Sequence, residues 1–434
     1  MTRFDEHFQF QQDIFHAVLR MMLRGVRIDF GRRTTLKKEL LAAGMERQRL
    51  IDYMAGHHLN VNSPKRLMAF FYEDLKIPGI RHIKTDKLTS NSEALDQIAT
   101  REPRLLPLCQ AIAELRSVGV FLSTFIEAEP DVDGRMRSAF AVAGPITYRF
   151  ASAENAFGSG MNMQNLPEKE KIKIKNAKDY IKLPNIRELF IPDQGFTFFD
   201  EDLDRADLQV VVWEADDADL KFALRAGLDM HLFNAIAVWG FDIPVDELVE
   251  SHPKYEEHKK RYGRFRHLAK QAVHATNYGV GDRKLAITLG IPVHEASKFR
   301  VKWFGAHPGI HRWHKRTEET VRKRGFIENP FGARLYNMGR FDLPEFLAWT
   351  PQSTVAGVIN RALVNIDKAE QAGETKIQLM LQVHDSLAGQ FPQGEKDASI
   401  ETLRKLSSIV VPYDDPLIIP VGINTSNESW GRCK

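Results

Sequence analysis

Acidic residues in a short apolar segment are the first candidates for chemistry in this sequence. Asp200, Asp202 and Asp204 alternate after the residues FTFF, so on an extended strand the three carboxylates would share one face. Buried carboxylates this close together repel one another unless a cation neutralises them, which favours a metal site over a solvated strand edge. A calcium loop is excluded, because Arg205 stands where such a loop needs glycine and Val211 where it needs glutamate.

Another carboxylate follows a second apolar strand. His384 and Asp385 come directly after the residues LMLQV, in a position typical of a turn. An isolated His-Asp pair in a turn usually has no role beyond the turn. Two carboxylates from adjacent strands, however, are the minimum for two divalent cations about 3.5–4 Å apart, the arrangement used for in-line phosphoryl transfer.

A basic and aromatic stripe is the third candidate. Arg266, Lys270, His274 and Tyr278 recur every four residues and would span roughly 120° of one helix face. Guanidinium and ammonium groups bind phosphates and a ring can lie beside a base, so the stripe suits a nucleoside triphosphate. The alternative is an exposed helix face without a ligand, and this segment alone does not decide between the two.

Helices and strands must position these three groups. About the first 145 residues are predicted as mainly helical, with one helix beginning after the capping residue Ser63. A buried strand followed by a helix is predicted around the acidic segment, and residues 220–325 are predicted as helical and locally basic. A strand-turn-strand unit is predicted around His384 and Asp385.

Length and composition narrow the class of protein. The chain has 434 residues, 43% of them hydrophobic and 27% charged, which fits several lobes with sizeable cores. Lys and Arg (60) nearly balance Asp and Glu (57), so a nucleic-acid surface would need local clustering. Two cysteines form neither a disulfide framework nor a cysteine zinc site. The absence of a signal peptide and of long apolar runs predicts a cytoplasmic protein (host cytoplasm if viral) without a membrane partner.

Together, and in this order, the three groups resemble the family-A DNA polymerases, the bacterial polymerase-I-like group. The segment DLDRADLQ is similar to the family's motif A, an aspartate followed by xSQIELR. The resemblance makes Asp202 the first metal ligand, with Asp204 in reserve, and the Leu203 carbonyl its backbone companion. It places Asp207 at the glutamate that selects the sugar.

Motifs B and C of that family are also matched. Motif B, RxxxKxxxFxxxYG, corresponds to Arg266, Lys270 and Tyr278, with His274 in place of the aromatic residue, and the resemblance makes all four nucleotide-binding. Motif C, VHDE, corresponds to VHDS, in which Asp385 becomes the second metal ligand.

Further segments extend the likeness from residue 8 onward. HLNVNSPKRL resembles the thumb signature, and TYRFASAENAFGSGMNMQNLP resembles TGRLSSxxPNLQNIP. PQST resembles the segment with a minor-groove glutamine, and GLDMH places His231 near the triphosphate. The DNA contacts that the resemblance implies are made by Arg149, Gln164, Asn165, Gln352 and His384.

The resemblance implies an α+β fold, the right-hand polymerase fold with a helical thumb, an antiparallel-sheet palm and helical fingers. The expected division is residues 1–30 leading into the palm, 31–143 thumb, 144–220 palm with motif A, 221–345 fingers with motif B, and 346–434 palm with motif C. No exonuclease domain is expected in this chain, because almost nothing precedes the thumb.

The implied function is template-directed DNA synthesis, in which deoxynucleotides are added to a primer 3′-hydroxyl. Asp202, Asp385 and Lys270 would be catalytic, with two Mg²⁺ ions for which Mn²⁺ is a substitute. The expected partners are primer-template DNA and deoxynucleoside triphosphates. A monomer is expected, and accessory replication proteins are unknown.

Four departures from the family pattern leave alternatives open. Asp207 is one methylene shorter than the usual glutamate, and His274 replaces Phe or Tyr, so exclusion of a ribose 2′-hydroxyl is expected to be looser. Ser386 replaces an auxiliary glutamate, and Asp204 replaces a serine. The alternatives are a single-subunit RNA polymerase or relaxed-sugar enzyme, and a catalytically idle DNA-binding scaffold derived from a polymerase.

Overall fold

The computed structural model describes residues 2–82, 85–142, 144–156, 158–167, 174 and 180–433. Within them, helices and short antiparallel strands are joined by turns and loops. The helices are α1 Arg3–Arg24, α2 Phe30–Ala55, α3 Pro64–Met68, α4 Ser92–Arg101, α5 Leu106–Val120, α6 Ala206–Ala215, α7 Ala218–Arg225, α8 Met230–Trp239, α9 Tyr255–Arg261, α10 Gly263–Asn277, α11 Asp282–Leu289, α12 Val293–Ala306, α13 Pro308–Arg324, α14 Leu343–Gln371 and α15 Lys396–Ser407. The strands are β1 Val26–Ile28, β2 Arg135–Met136, β3 Ala139–Ala141, β4 Ala151–Ala153, β5 Phe190–Ile191, β6 Phe196–Leu203, β7 Phe326–Glu328, β8 Arg334–Tyr336, β9 Gln378–Val383, β10 Ser386–Pro392, β11 Val410–Val411, β12 Leu417–Ile418 and β13 Val421–Ser426.

One antiparallel sheet joins the two acidic segments. Its four strands lie in the order β13-β6-β10-β9, so the strand before Asp204 pairs directly with the strand after Asp385. Side chains alternate along β6, which packs Phe198 against Trp430 on one face and Leu203 among helices on the other. Asp202 lies an even number of residues from Phe198 and therefore projects from the Phe198 face.

Helices α2 to α5 form a helical lobe, as the sequence predicts. Its core includes Ile51, Phe71 and Ile112, and Ser63 caps α3 by accepting a hydrogen bond from the backbone N–H of Arg66 at 3.4 Å. Helices α3 and α5 continue into π-helical turns at Ala69–Asp74 and Phe121–Ile126.

Within this lobe, the segment Pro103–Ile126 is long and apolar enough to cross a membrane by length and composition alone. The expectation that no such run exists is therefore too strong. Core helices of soluble proteins pass the same test, and here Leu108 and Ile112 of the segment are buried in the lobe.

Helices α8 to α13 form the second helical lobe. Its largest buried side chains are Trp303 and Trp313, which belong to the same hydrophobic cluster as Phe199 of the sheet. The indole N–H of Trp303 donates to the side-chain oxygen of Asn277 at 2.9 Å, and His314 bonds to the Asn277 carbonyl at 2.8 Å. These two bonds fix the end of α10, the helix that carries the basic stripe.

Helices α1 and α14 complete the sheet domain. Arg20 makes a two-pronged ion pair with Asp367, and Arg24 bonds to Glu370 at 2.6 Å, so the first helix is attached to the long helix beside the sheet. This arrangement connects residues 1–30 with residues 346–434. The domain boundaries given above stay predictions.

Gly389 provides a test of how tightly the sheet is packed. It lies at an irregularity of the β9–β10 pairing, and a Cβ there would meet the Gln378 carbonyl oxygen at 2.2 Å and the Phe199 ring at 2.9 Å. We expect Gly389→Ala to lower the free energy of unfolding by about 2 kcal/mol, because an extra methyl overpacks the site. Urea denaturation measures the loss. Gly394→Ala is the control, since its Cβ would meet nothing within 4 Å, and equal losses from both variants would contradict the packing argument.

Candidate active site

Strand pairing brings the two acidic segments together. Asp202 lies opposite Ser386 in the register of β6 and β10, and the backbone N–H of Leu203 donates to the carbonyl of Asp385 at 3.2 Å. Asp202 is exposed and Asp385 is half-buried. The two predicted metal ligands therefore lie at one end of the sheet, Asp202 in β6 and Asp385 in the turn before the neighbouring strand β10.

The expectation that three carboxylates share one strand face is wrong for Asp204. Strand β6 ends at Leu203, and Asp204 lies in the following turn, 3.2 Å from the guanidinium of Arg205. Asp200 stays on the face but accepts a hydrogen bond from the indole N–H of Trp430 at 3.0 Å. Asp202 is the last of the three carboxylates that is still paired within β6, and its choice over Asp204 as a metal ligand stays a prediction.

The turn that carries Asp385 is held by amide side chains. His384 is exposed and has a left-handed backbone, with φ of 59°, which is uncommon for a residue other than glycine. The side-chain amide of Gln382 donates to the His384 carbonyl, and Gln164 donates to the Gln382 side chain at 2.8 Å. Gln164 is buried, so its observed contact supports the turn, and its assignment to DNA stays a prediction.

The predicted stripe lies along one side of α10. Lys270 and His274 are exposed, Arg266 and Tyr278 are half-buried, and the rings of His274 and Tyr278 meet edge to face at 4.7 Å. Lys270, His274 and Tyr278 line a cavity of about 520 Å³ together with Asp207 and His231. This cavity brings Asp207 together with three residues of the stripe, and the selection of the sugar by Asp207 stays a prediction.

Asp207 is the electrostatic link between the acidic pair and the stripe. It stands in the first turn of α6, and the guanidinium of Arg149 lies 3.5 Å away. Burial raises the pKa of Asp207 above its ordinary value, Arg149 and His274 oppose that effect, and the negative charge of Asp385 reinforces it. The charges of Arg149, His274 and Asp385 therefore all act on the carboxyl of Asp207.

The backbone of His231 and the side chain of Arg266 both bond to Asp229, a residue that was not predicted from the sequence. Burial lowers the pKa of His231 to about 4, and the charges of Arg266 and Lys270 act in the same direction while Asp229 opposes them. The imidazole is therefore neutral at pH 7. Asp229 accepts a hydrogen bond from the Nε of Arg266 at 2.7 Å. Its position before a helix signals a cap, but nothing local in the sequence signals the contact with Arg266.

The remaining predicted DNA contacts lie on other elements. Asn165 is exposed, directly after the buried Gln164, and Gln352 is half-buried in α14. Within the described residues, Arg149 is the one predicted DNA contact that forms an ion pair with a residue of the site, Asp207. The DNA-binding roles of Asn165 and Gln352 stay predictions.

Oxygen ligands at this site suit a hard cation such as Mg²⁺. Within the described ranges, no group of three or more His, Cys, Asp or Glu side chains converges into an all-protein metal site. Mg²⁺ commonly uses one or two carboxylates and takes its other ligands from water and substrate phosphates. Asp202 and Asp385, with the backbone of Leu203, match that donor set.

The solved structures include a likeness that covers nearly the whole chain. The POL domain of Pol1 from M. smegmatis, in complex with DNA primer-template and dNTP, superposes with a TM-score of 0.77 at 22% sequence identity. The match covers 97% of this chain and 70% of that chain. It confirms the expected right-hand fold with helical thumb, antiparallel-sheet palm and helical fingers.

Curated relatives are bacterial DNA polymerases I. The chain is 27% identical over 419 residues to the enzyme of Deinococcus radiodurans, covering 93% of this chain and 40% of that protein. It is 26% identical over 441 residues to the thermostable enzyme of Thermus aquaticus, covering 95% and 47%. The chain thus spans less than half the length of these relatives. Because the model of DNA polymerase family A matches residues 32–431, the chain belongs to that family.

Proposed function

We propose that this chain is a template-directed DNA polymerase that adds deoxynucleotides to a primer 3′-hydroxyl by two-metal phosphoryl transfer. The observation that carries the proposal is the β6–β10 register, which brings Asp202 and the turn of Asp385 to the same end of the sheet. The charge of Asp385 acts on Asp207, which lines the cavity together with Lys270, His274 and Tyr278 of the stripe. Two adjacent carboxylates can hold divalent cations, and a cationic helix can bind a triphosphate. A reaction between two phosphate-bearing substrates needs both.

Asp202 and Asp385, with the Leu203 carbonyl, would hold Mg²⁺, with Mn²⁺ as a substitute. When bound, the ions lower the pKa of the attacking hydroxyl and neutralise charge on the phosphates. The protein's own contribution is to keep both carboxylates at one end of a rigid sheet, where Leu203 donates to the Asp385 carbonyl.

The stripe would bind the triphosphate. Arg266 and Lys270 are cations one helical turn apart, which suits the β- and γ-phosphates. Lys270 would also give a proton to the departing pyrophosphate. His231, neutral at pH 7, would donate a hydrogen bond without adding charge. Tyr278, at the inner end of the stripe, would lie near the templating base.

Primer-template DNA would occupy the side of the sheet that carries the acidic pair. The M. smegmatis domain was solved with DNA primer-template and dNTP, and its fold matches this chain. Arg149 and Gln352 would check base pairs through minor-groove acceptors, which every base pair offers. Asn165 and the exposed His384 would contact the primer-template strands. We propose that these 434 residues carry polymerisation without proofreading, since the family model accounts for residues 32–431. A monomeric state and a cytoplasmic location stay predictions.

A relaxed choice of sugar is the second candidate, and Asp207 is the observation that favours it. The side chain of Asp207 is one methylene shorter than glutamate and lies 3.5 Å from the guanidinium of Arg149, so it presents less bulk to a sugar than glutamate would.

Asp385→Asn tests the acidic pair. We expect the rate of primer extension to fall about a thousandfold, because an amide removes several kcal/mol of metal-dependent charge stabilisation. Extension of a 5′-labelled primer with Mg²⁺ measures the rate, and filter binding measures primer-template affinity, which should change less than about threefold. Asp204→Asn is the matched control and should stay active. Loss of extension in Asp204→Asn but not in Asp202→Asn would move the metal site. Tight binding of primer-template without extension by the unmodified protein would support the scaffold alternative.

Lys270→Ala tests the triphosphate assignment. We expect KM for deoxynucleotides to rise at least about tenfold, since a charge-assisted hydrogen bond to phosphate is lost, with little change in primer-template affinity. Steady-state extension at varied dNTP concentration separates KM from kcat. The control is Lys260→Ala, an exposed lysine at the end of α9. A variant that weakened only DNA binding would refute the assignment.

Asp207→Glu tests the choice of sugar. We expect the longer side chain to lower ribonucleotide use about tenfold relative to deoxynucleotide use, because one methylene in a binding site changes discrimination by that order. The measurement is the ratio of kcat/KM values for rCTP and dCTP on one template. Asp204→Glu, the same change on an exposed residue outside the cavity, should leave the ratio unaltered. An unchanged ratio in Asp207→Glu would show that another residue selects the sugar.

A further inference from the structure

Asp229 is a buried carboxylate whose two oxygens bind different elements. One oxygen caps α8 by accepting from the backbone N–H groups of His231 at 2.9 Å and Leu232 at 3.1 Å. The other accepts from the Nε of Arg266 on α10 at 2.7 Å and from the hydroxyl of Tyr255 on α9 at 2.8 Å. Three helices of the second helical lobe are therefore joined through one side chain that is 8% exposed.

The bond to Arg266 has a specific geometric consequence. A guanidinium is planar, so a hydrogen bond at Nε fixes the plane while the two terminal amino groups, the fork that binds phosphates, stay outside that bond. Arg266 is 28% exposed, and without Asp229 its long side chain would sample many rotamers. Asp229 also sets the first turn of α8, and with it the direction of the His231 ring.

The charge state of Asp229 supports this reading. Burial by itself would raise the pKa of the carboxyl, but hydrogen bonds from Arg266, the Leu232 backbone and Tyr255 outweigh burial and leave the pKa below its ordinary value. Asp229 is therefore ionised at pH 7. A charge-assisted bond to Arg266 is about twice as strong as a neutral one.

We propose that Asp229 is a positioning residue that holds Arg266 and His231 in one arrangement to receive the triphosphate of an incoming nucleotide. The proposal rests on the proposed function of the α10 stripe. Asp229 does not itself line the cavity but contacts His231, which does, so it acts through Arg266 and His231 and not on the substrate itself.

Asp229→Asn is the test, because asparagine is as good a helix cap as aspartate but lacks the charge that holds Arg266. We expect KM for dATP in single-nucleotide extension to rise about tenfold and kcat to change less than about threefold, since substrate binding and not chemistry loses its prearranged partner. An unchanged or lowered KM would overturn the proposal.

Asp217→Asn is the matched control. Asp217 is likewise a buried cap, 7% exposed, which accepts from the Leu220 N–H at 3.1 Å and contacts His307 instead of the stripe. We expect both variants to lose similar thermal stability, whereas Asp217→Asn leaves KM unaltered. Equal rises in KM for both variants would mean a merely structural role and would refute positioning.

A double-mutant cycle shows whether Asp229 acts through Arg266. In an Arg266→Ala background, Asp229→Asn should raise KM no further, and independent, multiplying effects would overturn the proposal. If Asp229→Asn does not fold, Tyr255→Phe removes one bond to the same carboxylate and should raise KM about threefold. No rise in Tyr255→Phe would then count against the proposal.

Binding of dATP to the protein–primer-template complex, measured by calorimetry with Ca²⁺ in place of Mg²⁺, separates this proposal from the proposed function. Absence of extension by the unmodified protein, with dATP bound and its Kd raised about tenfold by Asp229→Asn, would refute the function and keep the positioning. Extension by the unmodified protein, together with a Kd for dATP that Asp229→Asn leaves unaltered, would support the proposed function and refute the positioning. Absence of both extension and dATP binding would overturn both.

Discussion

The register of β6 against β10 is the constraint on which the candidate site depends. A strand has a side-chain period of two, so a slip of one residue would send Asp202 into the hydrophobic cluster and Leu203 into solvent. The hydrogen bond from Leu203 to the Asp385 carbonyl belongs to this register, as does the pairing of Asp202 with Ser386. Leu203 is buried and Asp202 is exposed, so a slip that exchanged their faces would be costly, and the packing of apolar residues therefore determines where the carboxylates stand.

Acidic and basic groups of the candidate site stand on different elements of the structure. The acidic pair lies at the sheet end and the cations on α10, while Asp207 between them is paired with Arg149. His231 stays neutral because burial lowers its pKa to about 4, which avoids a further cation beside Arg266. A polyanionic substrate would therefore meet two fixed cations on one helix, and a metal would meet two fixed carboxylates on one sheet.

Local patterns in the sequence predicted much of this arrangement. Apolar runs predicted β6 and β9, the four-residue spacing predicted the α10 stripe, and Ser63 predicted the start of α3. Those predictions succeed because strand and helix periods, and caps, depend on residues close together in the chain. The link between the two acidic strands was predicted from the chemistry of paired carboxylates and from resemblance to a family, because no local signal shows which strands pair.

Other features depend on contacts between distant residues. The end of β6 at Leu203, which takes Asp204 off the shared face, follows from where β13 and β10 stop pairing with it. Gln164 is buried against Gln382, 218 residues away, and Asp229 bonds to Arg266, 37 residues away. Each of these two polar contacts joins a residue near the candidate site to a second element of the structure. The orientation of the His384 turn and of the Arg266 side chain is therefore determined by the tertiary fold. Two kinds of interaction therefore determine the candidate site: the register of apolar residues in the sheet, and charge-assisted hydrogen bonds among the helices.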